Sequence, residues 1–179
     1  MTIPPITEEL ESGVIGDIAR RSPPPDPPPD VVEFPDWPDE VRLGRRLWIL
    51  QAPYRYTYEL GDWIWRITMP VGFAYDGASI PRIVWSAVQP DKLHKASGPH
   101  DLAYRRGGAM APGEWEYHDG KVWRPVGREM SRKESDQILR IQAKEDPDGP
   151  GATQRALAYA AVRVGGRGAW GPKDGPEVP

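Results

Sequence analysis

The segment from Pro53 to Met69 alternates between apolar and polar residues and predicts a β-hairpin. Gly61-Asp62 is its two-residue turn, with glycine at the first central position, where a type II′ turn requires it. Pairing across this turn places apolar and aromatic residues on one face and mostly polar residues on the other. We expect the apolar face to lie in the core. Its predicted pairs are Leu60 with Trp63, Tyr58 with Trp65, Tyr56 with Ile67 and Tyr54 with Met69.

A second hairpin is predicted between Glu114 and Pro125. Asp119-Gly120 lies at its centre, and this dipeptide is typical of type I′ turns. We expect His118, which precedes the turn, to be exposed.

Three segments carry apolar residues at helical spacing. The second opens with Ser131 and Glu134, which form a capping box. The third is apolar on nearly all sides, which predicts a helix buried at the centre of the protein. Their predicted bounds are about Pro99 to Tyr104, Ser131 to Glu145 and Gln154 to Val164, and a shorter helix is predicted from about 81 to 88.

These elements predict an α+β fold in which two or three packed helices lie on short antiparallel β-hairpins. Apolar residues recur at roughly helical spacing within residues 1–21, which predicts an N-terminal arm or a short helix. Residues 22–40 are rich in proline and predict an extended strap or linker of polyproline II type. Residues 41–170 are expected to form a single globular domain, and residues 171–179 an irregular tail.

Composition and charge narrow the range of function classes. A formal net charge of -3 gives no basic field for nucleic acid, so no nucleic-acid partner is expected. The chain has no cysteine, which excludes disulfides and thiolate zinc sites. A basic-then-apolar leader is missing, and the longest apolar run, Ala156 to Val162, is short for a membrane span. We therefore expect a protein made in a cytoplasm, with no signal peptide and no transmembrane segment.

His100 and Asp101 are adjacent in a segment with helical spacing, so their side chains leave the helix about 100° apart. This geometry favours a division of labour in which Asp101 holds a cation while His100 acts beside it as a base. A helix start near Pro99 places His100 in the first turn, where the helix dipole favours the neutral imidazole. The alternative is a helix start whose polar residues only cap and solvate it, with Ser97 or Gly98 as the cap.

Two further aspartates are candidates for the same site. Asp136 precedes Leu139 by about one turn and lies on or beside the inward face of its helix, where a carboxylate needs a partner. His100 is the candidate partner, and a hydrogen bond to water or to Arg140 is the alternative. Asp76 follows a glycine-containing loop and is either another oxygen ligand or the residue that closes its own turn.

Four spaced motifs lie between about residues 54 and 170. They are Gly72-Phe73-x-x-Asp76-Gly77-Ala78-Ser79-Ile80-Pro81-Arg82-x-x-Trp85, His100-Asp101-x-x-Tyr104, Ser131-Arg132-x-Glu134-Ser135-Asp136 and Tyr159-x-Ala161-Val162-Arg163-x-Gly165-Gly166 with Trp170. Together they resemble a phage and prophage family known as a domain of unknown function. The resemblance implies a bacteriophage origin and no established activity. It favours a virion-associated protein of tail, baseplate or neck type, made in the host bacterial cytoplasm, whose arm and strap bind other virion proteins.

A second resemblance concerns chemistry. The order of a glycine-rich loop, an HDxxY helix and a second helix with an aspartate is similar to calcium-dependent secreted sn-2 phospholipases, especially the cysteine-free versions inside parvovirus capsid proteins. It implies hydrolysis of phospholipid or another ester at the host envelope, with calcium polarising the ester carbonyl. The implied roles are His100 as the base that activates water, Asp136 as its orienting partner, Tyr104 as a brace of the pair, and Asp101, Asp76 and the backbone carbonyls of Gly72 and Gly77 as calcium ligands.

Three alternatives remain at this stage. A nucleophilic triad of Ser79, His100 and Asp136 lacks the GxSxG elbow of such sites. Zinc bound by His94, His100 and Asp101 lacks a His-x-x-x-His spacing. A purely structural phage assembly protein would use the His-Asp cluster as a buried hydrogen-bonded core without catalysis.

Overall fold

The computed structural model describes residues 38, 40–42, 47–76, 88 and 90–172. In this part of the chain, three helices and two small antiparallel sheets form an α+β fold, as the sequence predicts. The predictions for the arm, for nearly all of the strap, for the helix at 81–88 apart from its last residue, and for the tail after Pro172 lie outside the described residues.

The helices are α1 (His94–Arg106), α2 (Arg132–Glu145) and α3 (Ala152–Gly165), and short 3-10 segments lie at Pro90–Leu93 and Gly166–Gly168. The strands are β1 (Glu40–Arg42), β2 (Trp48–Leu50), β3 (Tyr54–Leu60), β4 (Trp63–Met69), β5 (Ala74–Tyr75), β6 (Trp115–His118) and β7 (Trp123–Pro125). One sheet has the order β1-β2-β5 and the other the order β3-β4-β6-β7. None of the helices in the described part combines the length and the apolar character needed to cross a bilayer.

The first hairpin has the predicted register. Strands β3 and β4 pair from Tyr54 with Met69 to Leu60 with Trp63, and Gly61 has a φ of +63°, as the turn requires. The aromatic face of this hairpin packs into the main core together with residues from α1 and α2. The hairpin is therefore the platform on which the helices lie.

The second hairpin differs from the prediction in its turn. His118 pairs with Trp123, so the connection has four residues rather than the two of a type I′ turn. The Asp119 carboxylate explains the longer loop, because it accepts hydrogen bonds from the backbone N–H groups of Lys121 and Val122. His118 is buried rather than exposed, since the Trp123 ring packs edge-on against it with centroids 5.2 Å apart.

Helix α1 begins at His94, earlier than the predicted start near Pro99. Pro99 lies inside the helix, and His100 therefore lies in the second turn rather than at the positive end of the dipole. Gly98 is not a cap. A Cβ atom there would lie 2.8 Å from Cε and 2.9 Å from Sδ of Met69, so the missing side chain allows α1 to approach β4 closely.

Helix α2 has the predicted capping box, with Ser131 accepting from the Glu134 N–H and the Glu134 carboxylate accepting from the Ser131 N–H. Helix α3 was expected to be buried on all sides, and this is wrong. Only Ala158 and Val162 of α3 are buried, and they pack in a small cluster with residues of α1 and α2. Alanine makes a helix apolar without needing to be buried, which explains the error.

Candidate functional site

Helices α1 and α2 bring His100 and Asp136 together. His100 Nε2 lies 3.0 Å from Asp136 Oδ1, and both side chains are buried. The sequence leaves His100 as the candidate partner of Asp136, with water or Arg140 as the alternative, and the contact is with His100. The nitrogen that contacts Asp136 is Nε2, which leaves Nδ1 on the other side of the ring.

Asp136 accepts hydrogen bonds from α1 and α3 and lies near an arginine of its own helix. Tyr104 donates its hydroxyl hydrogen to Oδ1 at 2.7 Å, and Arg163 Nη1 donates to Oδ2 at 2.8 Å. Arg132 Nη1 lies 3.7 Å from the same Oδ2. Burial alone would raise the pKa of Asp136, but the hydrogen bonds from His100, Tyr104 and Arg163 lower it below its usual value. Asp136 is therefore ionised at neutral pH.

The Tyr104 ring packs against two neighbouring rings. Its ring centroid lies 4.1 Å from that of His100, and the Trp170 ring packs edge-on against it at 5.0 Å. Burial first, and then the hydrogen bond to Asp136, raise the pKa of Tyr104, so its hydroxyl remains a donor. Tyr104 thus contacts both His100 and Asp136.

His100 also contacts its neighbour Asp101, which the predicted division of labour did not include. Nδ1 of His100 lies 3.4 Å from Asp101 Oδ1, at the long limit for a hydrogen bond. Asp101 is buried, and its Oδ2 has no hydrogen-bond partner within the described part of the chain. The pKa of Asp101 is raised to about 6, mainly by burial and in part by the charge of Asp76, while His100 acts to lower it.

The protonation of His100 follows from the two carboxylates. Burial lowers the pKa of His100, but hydrogen bonds and charge interactions with Asp101 and Asp136 outweigh that effect and raise it. The protonated ring is therefore favoured more strongly than in a free imidazole. The helix dipole, which we expected to favour the neutral ring, does not act on it because of its position in the second turn.

The predicted calcium ligands are only partly described. Asp76 is exposed after β5, near enough to Asp101 to affect its pKa, and Gly72 has a φ of +78° in the turn before β5. Gly77 and Ser79 lie outside the described residues. The structure therefore does not locate the Gly77 carbonyl or the serine of the alternative triad. Among described residues no group of three His, Cys, Asp or Glu side chains is arranged to hold a metal ion. A cation at Asp101 would therefore depend on backbone or hydroxyl oxygens as well as carboxylates.

The zinc alternative does not fit the geometry. His94 Nε2 lies 2.6 Å from Glu40 Oε1, and its ring packs between Trp48 and Tyr75. It thus belongs to a separate cluster at the start of α1, together with the Tyr75 hydroxyl that donates to Glu40.

Arg163 is the site residue whose role the sequence analysis missed. It lies in a motif that was singled out, but an arginine near the end of an apolar helix is usually solvated. Its ion pair with Asp136 depends on the packing of α3 against α2, which no local pattern encodes. Arg132 fixes that packing, because its guanidinium donates to the carbonyls of Val162 and Arg163 at 3.1 to 3.2 Å.

A groove of about 450 Å³ opens elsewhere, beyond the carboxyl end of α1. Met110, Trp115 and Val126 are among its lining residues. None of its lining residues belongs to the His100 network, so we do not assign a substrate of that network to it.

Comparison with known proteins gives one match. A family model described as "Protein of unknown function (DUF1353)" matches residues 48–162, which include α1, α2 and most of α3. No curated protein and no solved structure matches the chain.

Proposed function

We propose, for a chain that belongs to the DUF1353 family, that His100, Asp101 and Asp136 form a calcium-dependent site that hydrolyses a phospholipid or another ester. The observation that carries this proposal is the orientation of His100. One ring nitrogen is fixed on Asp136, and the other faces Asp101, whose second carboxylate oxygen lacks a hydrogen-bond partner.

Asp136 sets the orientation of the base. Because Asp136 is ionised, it requires a hydrogen on Nε2 of His100, so deprotonation of the ring removes the hydrogen on Nδ1. Nδ1 then has a lone pair that accepts a proton from water. Tyr104 and Arg163 keep the carboxylate from turning away from the ring.

Asp101 controls whether Nδ1 is free. Without a cation, the negative charge of Asp101 favours a proton on Nδ1, only 3.4 Å away. A cation held by Asp101 would balance that charge, and the ring would then release its proton more readily. Bound calcium would also polarise the ester carbonyl and stabilise the oxyanion. Carboxylate and carbonyl oxygens are the donors that calcium prefers, and an oxygen without a partner fits this requirement.

The proposed setting is a bacteriophage virion, where the chain would act at the host envelope as a tail, baseplate or neck component. Its support is the set of four spaced motifs, three of which supply the network described above. Other virion proteins are the proposed partners.

A structural role without catalysis is the second candidate, and the number of hydrogen bonds that Asp136 accepts favours it. Three donors, two from α1 and one from α3, meet on one buried carboxylate of α2, as in a network that fixes how helices pack. On this alternative, the His-Asp cluster stabilises a phage assembly protein.

The test uses purified full-length protein, with calcium binding followed by calorimetry and hydrolysis of phospholipid micelles followed by fatty-acid release. We expect calcium binding at millimolar concentration or tighter, lost in Asp101→Asn, and hydrolysis lost in His100→Gln. His118→Gln is the matched control, because His118 is also buried but lies in β6. Activity that survives His100→Gln contradicts the proposal. Wild-type protein that neither binds calcium nor releases fatty acid, together with a His100→Gln variant of lower stability, supports the structural role.

A further inference from the structure

Helix α3 presents an apolar face to solvent. Leu157 is 41% exposed and Val164 is 84% exposed, and Ala156 and Ala160 are exposed between them. At 100° per residue these four side chains lie on the side opposite Ala158 and Val162, which pack against the other helices. We call these four residues the outer face of α3.

The charged residues of the segment that carries the outer face are of one sign. Between Gly149 and Pro172 the chain has three arginines, Arg155, Arg163 and Arg167, and no acidic residue, although its net charge is -3. A partner for this face is therefore expected to combine an apolar stripe with negative charge.

The arm of the same chain, residues 1–21, has this combination. At helical spacing, its apolar stripe consists of Ile3, Ile6, Leu10, Val14 and Ile18. Four acidic residues, Glu8, Glu9, Glu11 and Asp17, precede the first basic residue of the arm, Arg20. The arm thus complements the outer face in both polarity and charge.

The strap is long enough to carry the arm to α3. A segment of the length of residues 22–38 can span up to roughly 50 Å when extended as polyproline II, at about 3.1 Å per residue. The strap leads into β1, whose Glu40 contacts His94 at the start of α1. From there, α3 is two helix-packing distances away, through α1 and α2, or roughly 20 Å at about 10 Å for each packing step.

We propose that the arm docks as an apolar, acidic segment on the outer face of α3 of its own chain. The docked arm covers Leu157 and Val164 and places its carboxylates near Arg155 and Arg167. The proposed contact thus joins residues 1–21 to a helix that begins at Ala152.

Disulfide trapping tests this directly, because the chain has no cysteine of its own. Leu157→Cys is combined in turn with Ile6→Cys, Leu10→Cys and Val14→Cys in the full chain, and oxidised glutathione is added at low protein concentration. We expect at least one pair to form an intramolecular disulfide, detected by peptide mapping, at least tenfold faster than the control pair. The control replaces Leu157→Cys with Val122→Cys, an exposed apolar position in the loop between β6 and β7.

Equal rates at the two positions would show a tethered arm with no preferred site and overturn the proposal. A disulfide-linked dimer as the main product would assign the outer face to a second copy and overturn it as well.

Limited trypsin digestion gives a second measurement without cysteines. The arm ends at Arg20-Arg21, and docking should slow cleavage there. We expect Val164→Glu to accelerate cleavage at Arg21 at least threefold, since this exposed position tolerates the change without unfolding. The matched control Val122→Glu should leave the rate unchanged. An unaltered rate in Val164→Glu, or binding of wild-type protein to phosphatidylglycerol vesicles that Val164→Glu abolishes, contradicts docking of the arm.

Discussion

Tyr104 and His100, one turn apart on α1, share a single oxygen of Asp136. The Tyr104 hydroxyl lies 2.7 Å from Asp136 Oδ1, and His100 Nε2 lies 3.0 Å from the same atom. The spacing of four residues places both side chains on one face of the helix, so one carboxylate on α2 fixes both. In this chain the HDxxY motif therefore directs two donors at one aspartate of a second helix.

Tyr104→Phe removes one donor from Asp136 and leaves the ring in place. Hydrogen bonds to charged groups contribute about 1.5 to 3 kcal/mol, so we expect the free energy of unfolding to fall by about 2 kcal/mol. Urea denaturation followed by tryptophan fluorescence measures the change. Tyr117→Phe, at a half-buried position in β6, is the control and should change stability by less than about 0.5 kcal/mol. An unchanged Tyr104→Phe variant would mean that the hydroxyl does not bind Asp136 in solution.

Asp136→Asn removes the negative charge on which His100 and Arg163 converge. Breaking a buried ion pair by neutralising one partner costs about 3 to 5 kcal/mol, and the partial exposure of Arg163 places the expected loss near the lower value. Thermal or urea unfolding measures it, with Asp148→Asn on the exposed loop before α3 as the control. A loss below that of Tyr104→Phe would contradict the central place of Asp136 in the network.

The parts of the fold that could be predicted are those determined by residues close together in the sequence. The register from Tyr54 with Met69 to Leu60 with Trp63 follows from two alternating strands and one glycine turn. The pairing of His100 with Asp136 follows in the same way from two amphipathic helices. Each prediction used periodicity together with the cost of burying a polar group without a partner.

The errors arose where tertiary contacts override a local signal. Pro99 is typical of a helix start, yet α1 extends five residues before it, because close packing of Gly98 on Met69 stabilises the earlier turn. The composition of α3 predicted burial, but only one side of it has a neighbour. The role of Arg163 depends on that packing and could not be found from spacing alone.

Acid should destabilise the protein in part through Glu134. Burial would raise the pKa of Glu134, but hydrogen bonds from Arg128 and from the Ser131 backbone and hydroxyl lower it below the ordinary 4.5. A carboxylate with a lowered pKa binds fewer protons when folded than when unfolded. Its stabilising contribution is therefore complete above about pH 4.5 and is lost as the pH falls through the folded-state value.

Glu134→Gln tests this contribution, because glutamine can still accept the capping-box hydrogen bond but does not titrate. We expect the variant to be less stable than wild type at pH 7 and to lose less stability between pH 5 and pH 3. Urea unfolding at a series of pH values gives both curves. Glu129→Gln, at an exposed neighbouring glutamate, is the control and should follow the wild-type curve. Parallel curves for Glu134→Gln and wild type would show that Glu134 does not contribute to the acid transition.

A side chain at position 166 should displace the Tyr104 hydroxyl, which lies next to Gly166 in the fold. A Cβ atom at Gly166 would overlap the Tyr104 hydroxyl oxygen, whereas a Cβ atom at Gly168, in the same 3-10 segment, meets nothing within 4 Å. Gly166→Ala therefore pushes the hydroxyl away from Asp136, and overpacking of this kind costs about 1 to 3 kcal/mol. Gly168→Ala is the matched control and should be nearly neutral.

The double variant Gly166→Ala with Tyr104→Phe makes the prediction specific. Phenylalanine lacks the oxygen that the added methyl group overlaps, so most of the cost of Gly166→Ala should disappear in that background. Each single variant loses some free energy of unfolding. We expect the sum of these two losses to exceed the loss in the double variant by at least about 1 kcal/mol. Strict additivity in urea denaturation would mean that Gly166→Ala acts through the backbone and not by displacing the Tyr104 hydroxyl from Asp136.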